Sequence, residues 1–306
     1  MSVQTDPLED VLTLVGTTSR MSTSMIAGGE WALAFDAPPP VKFNALRRGR
    51  CLLRIGGTER WLDEGDCFLL TRAESFVLAS GPDVPPVPAG PVFARAVDGV
   101  AHAGEGDDLY MIGGRFGLGD RAHELLLNGL PPVVHVPAGT PEAATIDWTL
   151  GRIDTELRER PLASTLVTEH LALVMLIQVL RAHLSRDGAA TGWLAGLGDP
   201  VVAPALRALH SRPAQAWTVA DLAAEAAVSR STLAARFKQA VGQSPLDYLT
   251  GWRIELAADR LRRGDQTLAA IARAVGYGSE SALSNAFKRI TGRSPRAWQR
   301  APASRA

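Results

Sequence analysis

Only two cysteines, Cys51 and Cys67, occur in 306 residues. Both lie in short apolar runs, so they read as small core side chains in a reducing compartment, not as a disulfide framework. A redox switch is the competing role. Histidine is scarce as well: the six, at 102, 123, 135, 170, 183 and 210, are scattered without the close spacing of a metal site. No metal or other cofactor is therefore expected, and a metal-dependent enzyme is disfavoured. Long apolar runs are missing too. The most apolar stretch, Leu171 to Leu180, is far shorter than a bilayer-spanning helix. The first residues carry Asp6, Glu9 and Asp10 where a secretory leader would be basic and then apolar. Neither a membrane partner nor secretion is expected.

Net charge is also absent, since 32 Lys and Arg balance 32 Asp and Glu. The balance hides a segregation. Residues 199–306 hold 16 basic and 8 acidic residues, and 1–198 hold 16 basic and 24 acidic. Ordinary solvated surface could differ this way by chance, but a basic nucleic-acid-binding domain beside an acidic partner domain accounts for it directly.

What the chain does contain is a repeat. Phe237, Lys238, Gly242, Ser244 and Pro245 recur as Phe287, Lys288, Gly292, Ser294 and Pro295. Upstream, the segment from Thr218 to Leu222 matches that from Thr267 to Ile271. Each copy reads as two short helices with a turn between them. Thr218 and Thr267 suit the first N-cap, and Ser229 and Ser279 suit the second. Leu233 with Phe237, and Leu283 with Phe287 and Ile290, are spaced to face a core. Between the copies, Ser244-Pro245 opens a helix that Gly264 ends. At 1.5 Å per residue that helix is about 28 Å long, enough to hold two reading heads about one DNA turn apart.

The first 137 residues read differently. Short apolar runs at 31–35, 51–55, 60–62 and 67–70, then 92–97, 109–116 and 132–136, predict strands. Gly56-Gly57 and Glu64-Gly65-Asp66 predict turns, and the proline-rich 82–91 predicts a loop. A short helix is predicted near 8–16. Residues 142–160 and 166–184 predict two further helices, the second apolar on nearly every side and so buried within its domain or against another copy. The expected domains are a barrel over 1–137, helices over 138–186, a flexible linker over 187–198 and a helical domain over 199–306. The fold class is α+β.

Residues 199–300 resemble the AraC/XylS family of transcription regulators. The resemblance is carried by the unbroken run from Gly276 to Arg289 and by Gly292-Arg293-Ser294-Pro295. It implies seven helices and two helix-turn-helix units in adjacent major grooves of double-stranded promoter DNA. Carried over by position, it places base contacts at Ser231, Ala234 and Ala235 in the first recognition helix, and at Glu280, Ser281, Ala282 and Asn285 in the second. The small residues of the first helix cannot make bidentate contacts, which leaves Arg230 for polar reading. Asn285 suits an adenine edge; Glu280 suits either cytosine N4 or simply the helix N-terminus. Arg236, Lys238, Arg273, Lys288, Arg289, Arg293 and Arg296 suit phosphates.

Residues 8–137 resemble the cupin-type sensor that often precedes such a domain. Trp31 to Phe35, Ala37-Pro38-Pro39, Leu62 to Leu70 and Leu130 to Val136 carry this resemblance. The cupin metal pattern is broken, with Thr71 and Phe76 where proline and histidine would stand. A barrel without metal can still hold a small-molecule effector, with Trp31, Phe35, Phe43, Arg48, Trp61 and His102 as candidate lining, core packing as the competing role of the aromatics and plain surface that of His102. The implied protein is a cytoplasmic bacterial regulator, associated with the nucleoid when bound and not an enzyme. It is expected to be a homodimer, and the implied partners include RNA polymerase. The helix pair is either the dimer contact or packing within the domain. A cupin enzyme with a DNA-binding appendage and a non-selective architectural DNA binder are the competing readings.

Overall fold

The computed structural model describes residues 6–15, 18–21, 24–38, 41–117, 127, 129–185 and 192–300. The chain divides into two compact units: 17–118 with 130–189, and 1–16 with 119–129 and 190–306. Helix α1 (Pro7–Val15) opens the chain and belongs to the second of these.

The first unit is built from two sheets. One contains β1 (Thr18–Met21), β2 (Ser24–Gly28), β4 (Lys42–Arg48), β7 (Cys67–Leu70), β10 (Val100–Gly104), β11 (Leu109–Gly117) and β12 (Val133–Val136). The other runs β6 (Thr58–Leu62), β5 (Cys51–Ile55), β8 (Phe76–Ala79), β3 (Ala32–Phe35), β9 (Val87–Pro88). The strands are short and Gly-punctuated, as the sequence pattern requires. Gly56 and Gly57 both have positive φ, 56° and 74°, and close the two-residue β5–β6 hairpin that pairs Ile55 with Thr58. Only a residue without Cβ takes that turn at no steric cost. The core carries Met25, Trp31, Leu33, Leu46, Leu53, Phe68, Leu70, Phe76 and Leu78.

Cys51 and Cys67 are buried, and burial pushes both thiols up to about 12, with Asp66 adding to the effect. Reactive thiols have the opposite shift, so both act as core residues.

β1, β2, β4, β8 and β10 lie outside the segments expected as strands, and two further readings change in this unit. Residues 92–97 are not a strand: Ala89–Ala94 form helix α2. A short apolar run has no decisive period, and this one docks Val92 and Phe93 onto the core in helical form. Within the expected proline loop, Val87–Pro88 pair with β3 as an edge strand, where proline's missing N–H is tolerated.

Two helices complete the unit. α3 (Pro141–Glu159) is capped by the Thr140 side chain, which accepts from the Ala143 N–H, and it buries Ile146, Leu150 and Ile153. α4 (Ser164–Leu184) buries Met175, Leu176, Val179 and Leu180. Its 21 residues are long and apolar enough to cross a membrane by length and composition alone, but that side is core. The other side stays open, with Leu166 56% exposed, and Leu162 before it 99% exposed. The expected all-round burial is therefore only half realised within this unit.

The second unit contains α1, α5 (Gly192–Gly198), α6 (Val202–Ser211), α7 (Val219–Glu225), α8 (Arg230–Val241), α9 (Pro245–Arg263), α10 (Leu268–Ala274), α11 (Glu280–Thr291) and α12 (Pro295–Arg300). Two boundaries move. Residues 192–198, expected within a linker, are helical and bury Trp193 and Leu194; 186–191 lie outside the described residues. α1, expected with the barrel, packs against α6 and α9. Its Asp10 carboxylate meets His210 Nδ1 at 3.2 Å, and His210 Nε2 lies 2.7 Å from the Tyr248 hydroxyl. Burial holds His210 below its usual range, hence neutral. A neutral ring satisfies both neighbours when Nδ1–H donates to Asp10 and Nε2 accepts from Tyr248.

One polar group in the first unit should control its pH response. Burial, helped by Arg115, pushes the Lys42 ammonium down to about 8. Between about pH 8 and 10.5 the unfolded chain keeps a proton that the folded chain has lost, so stability rises with pH across that window. Lys42→Met should flatten this rise and increase stability at pH 7 by on the order of 1–3 kcal/mol. Melting curves of the full chain at pH 7 and pH 10 check it; an unchanged difference between the two would contradict it.

Candidate nucleic-acid interface

Each helix pair of the second unit is built by its caps. In the first, Thr218 and Asp221 exchange hydrogen bonds in a capping box that starts α7. Ser229 then accepts from the Thr232 N–H and starts α8. In the second, Thr267 accepts from Ala270 N–H to start α10, and Ser279 from Ala282 N–H to start α11. Each such cap contributes about 1 kcal/mol. Leu233 and Phe237 of α8, and Leu283 and Phe287 of α11, are fully buried and fix which face of each helix looks outward.

The outward faces carry the sequence-predicted residues. Arg230, Ser231, Ala234 and Ala235 are all exposed on α8. Glu280, Ser281, Ala282 and Asn285 are all exposed on α11. Arg236, Lys238, Arg273, Lys288, Arg289, Arg293 and Arg296 are exposed as well. Arg236 differs from the rest: its guanidinium donates to Asp199 at 2.7 Å. Asp199 also accepts from the backbone at Val201 and Val202, so it holds Arg236 against the start of α6. Ser231 shares its hydroxyl with the Ser229 cap at 3.0 Å.

The two pairs are held on one support. α9 buries Tyr248, Leu249, Trp252, Ile254, Ala257, Ala258 and Leu261 along its length. Arg253 on α9 donates to the carbonyls of Pro213 and Gln215, at 2.7 and 2.8 Å. Its guanidinium also lies 5.9 Å from the centre of the Tyr277 ring, in the turn of the second pair. That turn is tight. Gly276 has φ +87°, and a Cβ there would sit 2.8 Å from Ala214 Cα. The first pair has Ala227 at the corresponding bend, with φ 52° and no glycine. Sequence reasoning had no signal for Arg253, whose partners are carbonyls distant in the chain.

The expected effector lining is not assembled in the first unit. Trp31 and Phe43 are core residues, Phe43 against Phe116 at 5.3 Å. Arg48 points to Asp107, Trp61 lies outward under Arg50, and His102 is exposed on β10. Phe35 lines a cavity of about 20 Å³ with Met25, Lys42, Asn44, Phe93, Met111 and Gly113. That volume suits about one water. Asn44 Nδ2 is buried there without a hydrogen-bond partner. Lys42 and Asn44 alternate with Phe43 along β4, so period-two reading of that strand could have found them. Among the described residues, no three His, Cys, Asp or Glu side chains converge as a metal site would require. His135 meets Asp66 at 3.0 Å instead, and Asp66 also accepts from the Ala138 N–H.

Comparison with known proteins also divides the chain in two, with α1 inside the first match. Residues 6–185 match the cupin family and 222–301 match a helix-turn-helix domain family. A Streptomyces lividans protein is 63% identical over 97% of this chain and 99% of its own. One from Streptomyces antibioticus is 62% identical over the same shares. Each is named "Putative AraC-like transcription regulator". The HTH-type transcriptional regulator AlkR of Acinetobacter baylyi is 33% identical over 57% of this chain and 58% of its own.

The Gly276 geometry yields a paired expectation. Gly276→Ala combines left-handed strain, about 1–2 kcal/mol, with an overpacked contact of about 1–3 kcal/mol. It should lower the melting temperature and DNA affinity together. Ala227→Gly relieves the strain at the corresponding bend and should leave the melting temperature unchanged or raised. Equal behaviour of the two variants in thermal denaturation would refute this account of the turns.

Proposed function

The chain belongs to the AraC family of transcription regulators, with a cupin domain ahead of its helix-turn-helix domain, and from that premise we propose how it engages DNA. It is a DNA-binding regulator and not an enzyme. α8 and α11 enter successive major grooves of one operator. The observation that carries this reading is the pair of capped helices, each pinned inward by a Leu and a Phe and each presenting its predicted contact residues to solvent. α11 does most of the polar base reading, through Asn285, Glu280 and Ser281. Ala282 gives it an apolar contact. α8 lies close to the bases through Ser231, Ala234 and Ala235, with Arg230 reading at its start. Lys238, Arg273, Lys288, Arg289, Arg293 and Arg296 neutralise phosphates. Arg236 joins them by exchanging Asp199 for a phosphate.

The protein works in the bacterial cytoplasm as a homodimer. The exposed apolar side of α4, at Leu166, Val167 and Val174, with Leu162 just before it and Trp148 on α3, supports this helix pair as the dimer contact. Contact with RNA polymerase belongs to the same reading. A small effector acting on the cupin half belongs to the same reading.

Asn285→Ala should cost about 1–3 kcal/mol at one base pair and relax preference there. Lys288→Ala should weaken binding to every sequence alike and flatten the salt slope by about 1 unit. Both are read by titrating the full chain against operators selected from a random pool, at several salt concentrations. Unchanged selectivity in Asn285→Ala across all variants of the site would remove Asn285 as a reader. A pool that yields no preferred sequence would favour the architectural binder instead.

A further inference from the structure

Strand β4 turns a polar face toward the interior of the first unit. Lys42 and Asn44 stand two apart and so share one side of the strand. Phe43 points to the other side and packs on Phe116 at 5.3 Å. The neighbouring strand β11 sets Arg115 opposite Lys42, and Gly113 opposite Asn44. Gly113 has no side chain to fill the space before Asn44, and the cavity of about 20 Å³ lies there. Apolar side chains, Phe35 and Phe93 among them, line the rest, and no acidic side chain reaches it.

The donors in this corner have nothing to donate to. Asn44 is 4% exposed, and its Nδ2 has no hydrogen-bond partner. A buried donor of this kind is normally satisfied. Among the described residues, neither Lys42 nor Arg115 forms an ion pair. The two cations instead face each other across the β4–β11 ladder, where like charges directly opposite are destabilising. Burial and Arg115 together push the Lys42 ammonium toward its neutral form. One water answers the Asn44 N–H but brings no charge. An occupant that also answers Lys42 and Arg115 must be negative.

We propose that this cavity binds a compact monovalent anion, held by the Lys42 ammonium and the Asn44 amide N–H, with Arg115 adding charge at its edge. The volume admits about one water-sized group, which is a halide ion or one oxygen of a carboxylate. The source is therefore a free halide or the acid group of a small organic molecule. In the second case the proposal rests on the sensor reading above. The test below involves no DNA, so its failure is distinct from failure of the regulator reading.

The full chain is melted at pH 7 and constant ionic strength while chloride or acetate replaces the bulky sulfonate of HEPES. At about 200 mM, chloride, acetate or both should raise the melting temperature of the unaltered chain saturably, by about 2–5 °C. Whichever acts at the lower concentration names the source. Asn44→Leu removes the unmet N–H, and Lys42→Met removes the unpaired cation. Each should melt no lower than the unaltered chain in the sulfonate alone, because it relieves an unsatisfied group. Each should also lose more than half of the anion-dependent rise. An equal rise in both variants would overturn the assigned place, as would two variants that both melt well below the unaltered chain in the sulfonate. No rise in the unaltered chain with either anion would leave a water as the occupant and overturn the proposal outright.

Discussion

Burial of one helix, Pro245–Arg263, is the constraint on which the DNA-binding half depends. It buries nine residues among two helix pairs that are otherwise too short to stand alone. Helices of seven residues, like Val219–Glu225 and Leu268–Ala274, have no independent stability in water. They persist because Leu222 and Ile271 are fully buried and because side-chain caps satisfy their first N–H groups. Once α9 is seated, Leu233 and Phe237, and Leu283 and Phe287, set the rotation of the recognition helices. The outward faces follow without further instruction.

The same constraint explains why the two repeats have drifted apart where they have. Residues shared between them are inward or terminal: Phe237 and Phe287 in the core, Ser244 and Ser294 as caps, Gly242 and Gly292 as left-handed helix ends with φ 86° and 72°. The solvent face is free of packing demands, and there one copy presents alanine and the other Glu280, Ser281 and Asn285. Tertiary contact adds a further asymmetry. Gly276 is packed against Ala214, whereas the corresponding bend in the first copy tolerates Ala227. Copies that look equivalent in sequence thus stand in different surroundings.

The barrel shows where pattern reading loses its grip. Apolar runs and glycine turns marked β3, β5, β6, β7, β11 and β12, six of the twelve described strands, because a two-residue hairpin needs positive φ and a buried strand reads as a short apolar run. The same rules gave no account of residues 89–94, where a short apolar run formed a helix. They left the aromatic residues of the barrel between pocket lining and core packing. Trp31 and Phe43 take the second role and fill the core, because large apolar side chains exclude water from it most effectively. The polar pair that does face a cavity, Lys42 and Asn44, is hidden in an otherwise ordinary strand. Its character comes from what the other strands bring beside it.

By itself the sequence determined the class of this protein. Charge segregation, a repeated helix pair, paired caps and the run from Gly276 to Arg289 are local features, and local physics turns them into two exposed recognition helices. Tertiary structure alone decided which distant groups meet. It carried α1 to the helical unit, where Asp10 reaches His210 across 200 positions of sequence. It put Arg236 against Asp199 and Arg253 against the Pro213 and Gln215 carbonyls. It also set Lys42 and Asn44 beside an unfilled cavity. Periodicity reports which face of an element is buried, but not what it is buried against, and such pairings and cavities depend on the second.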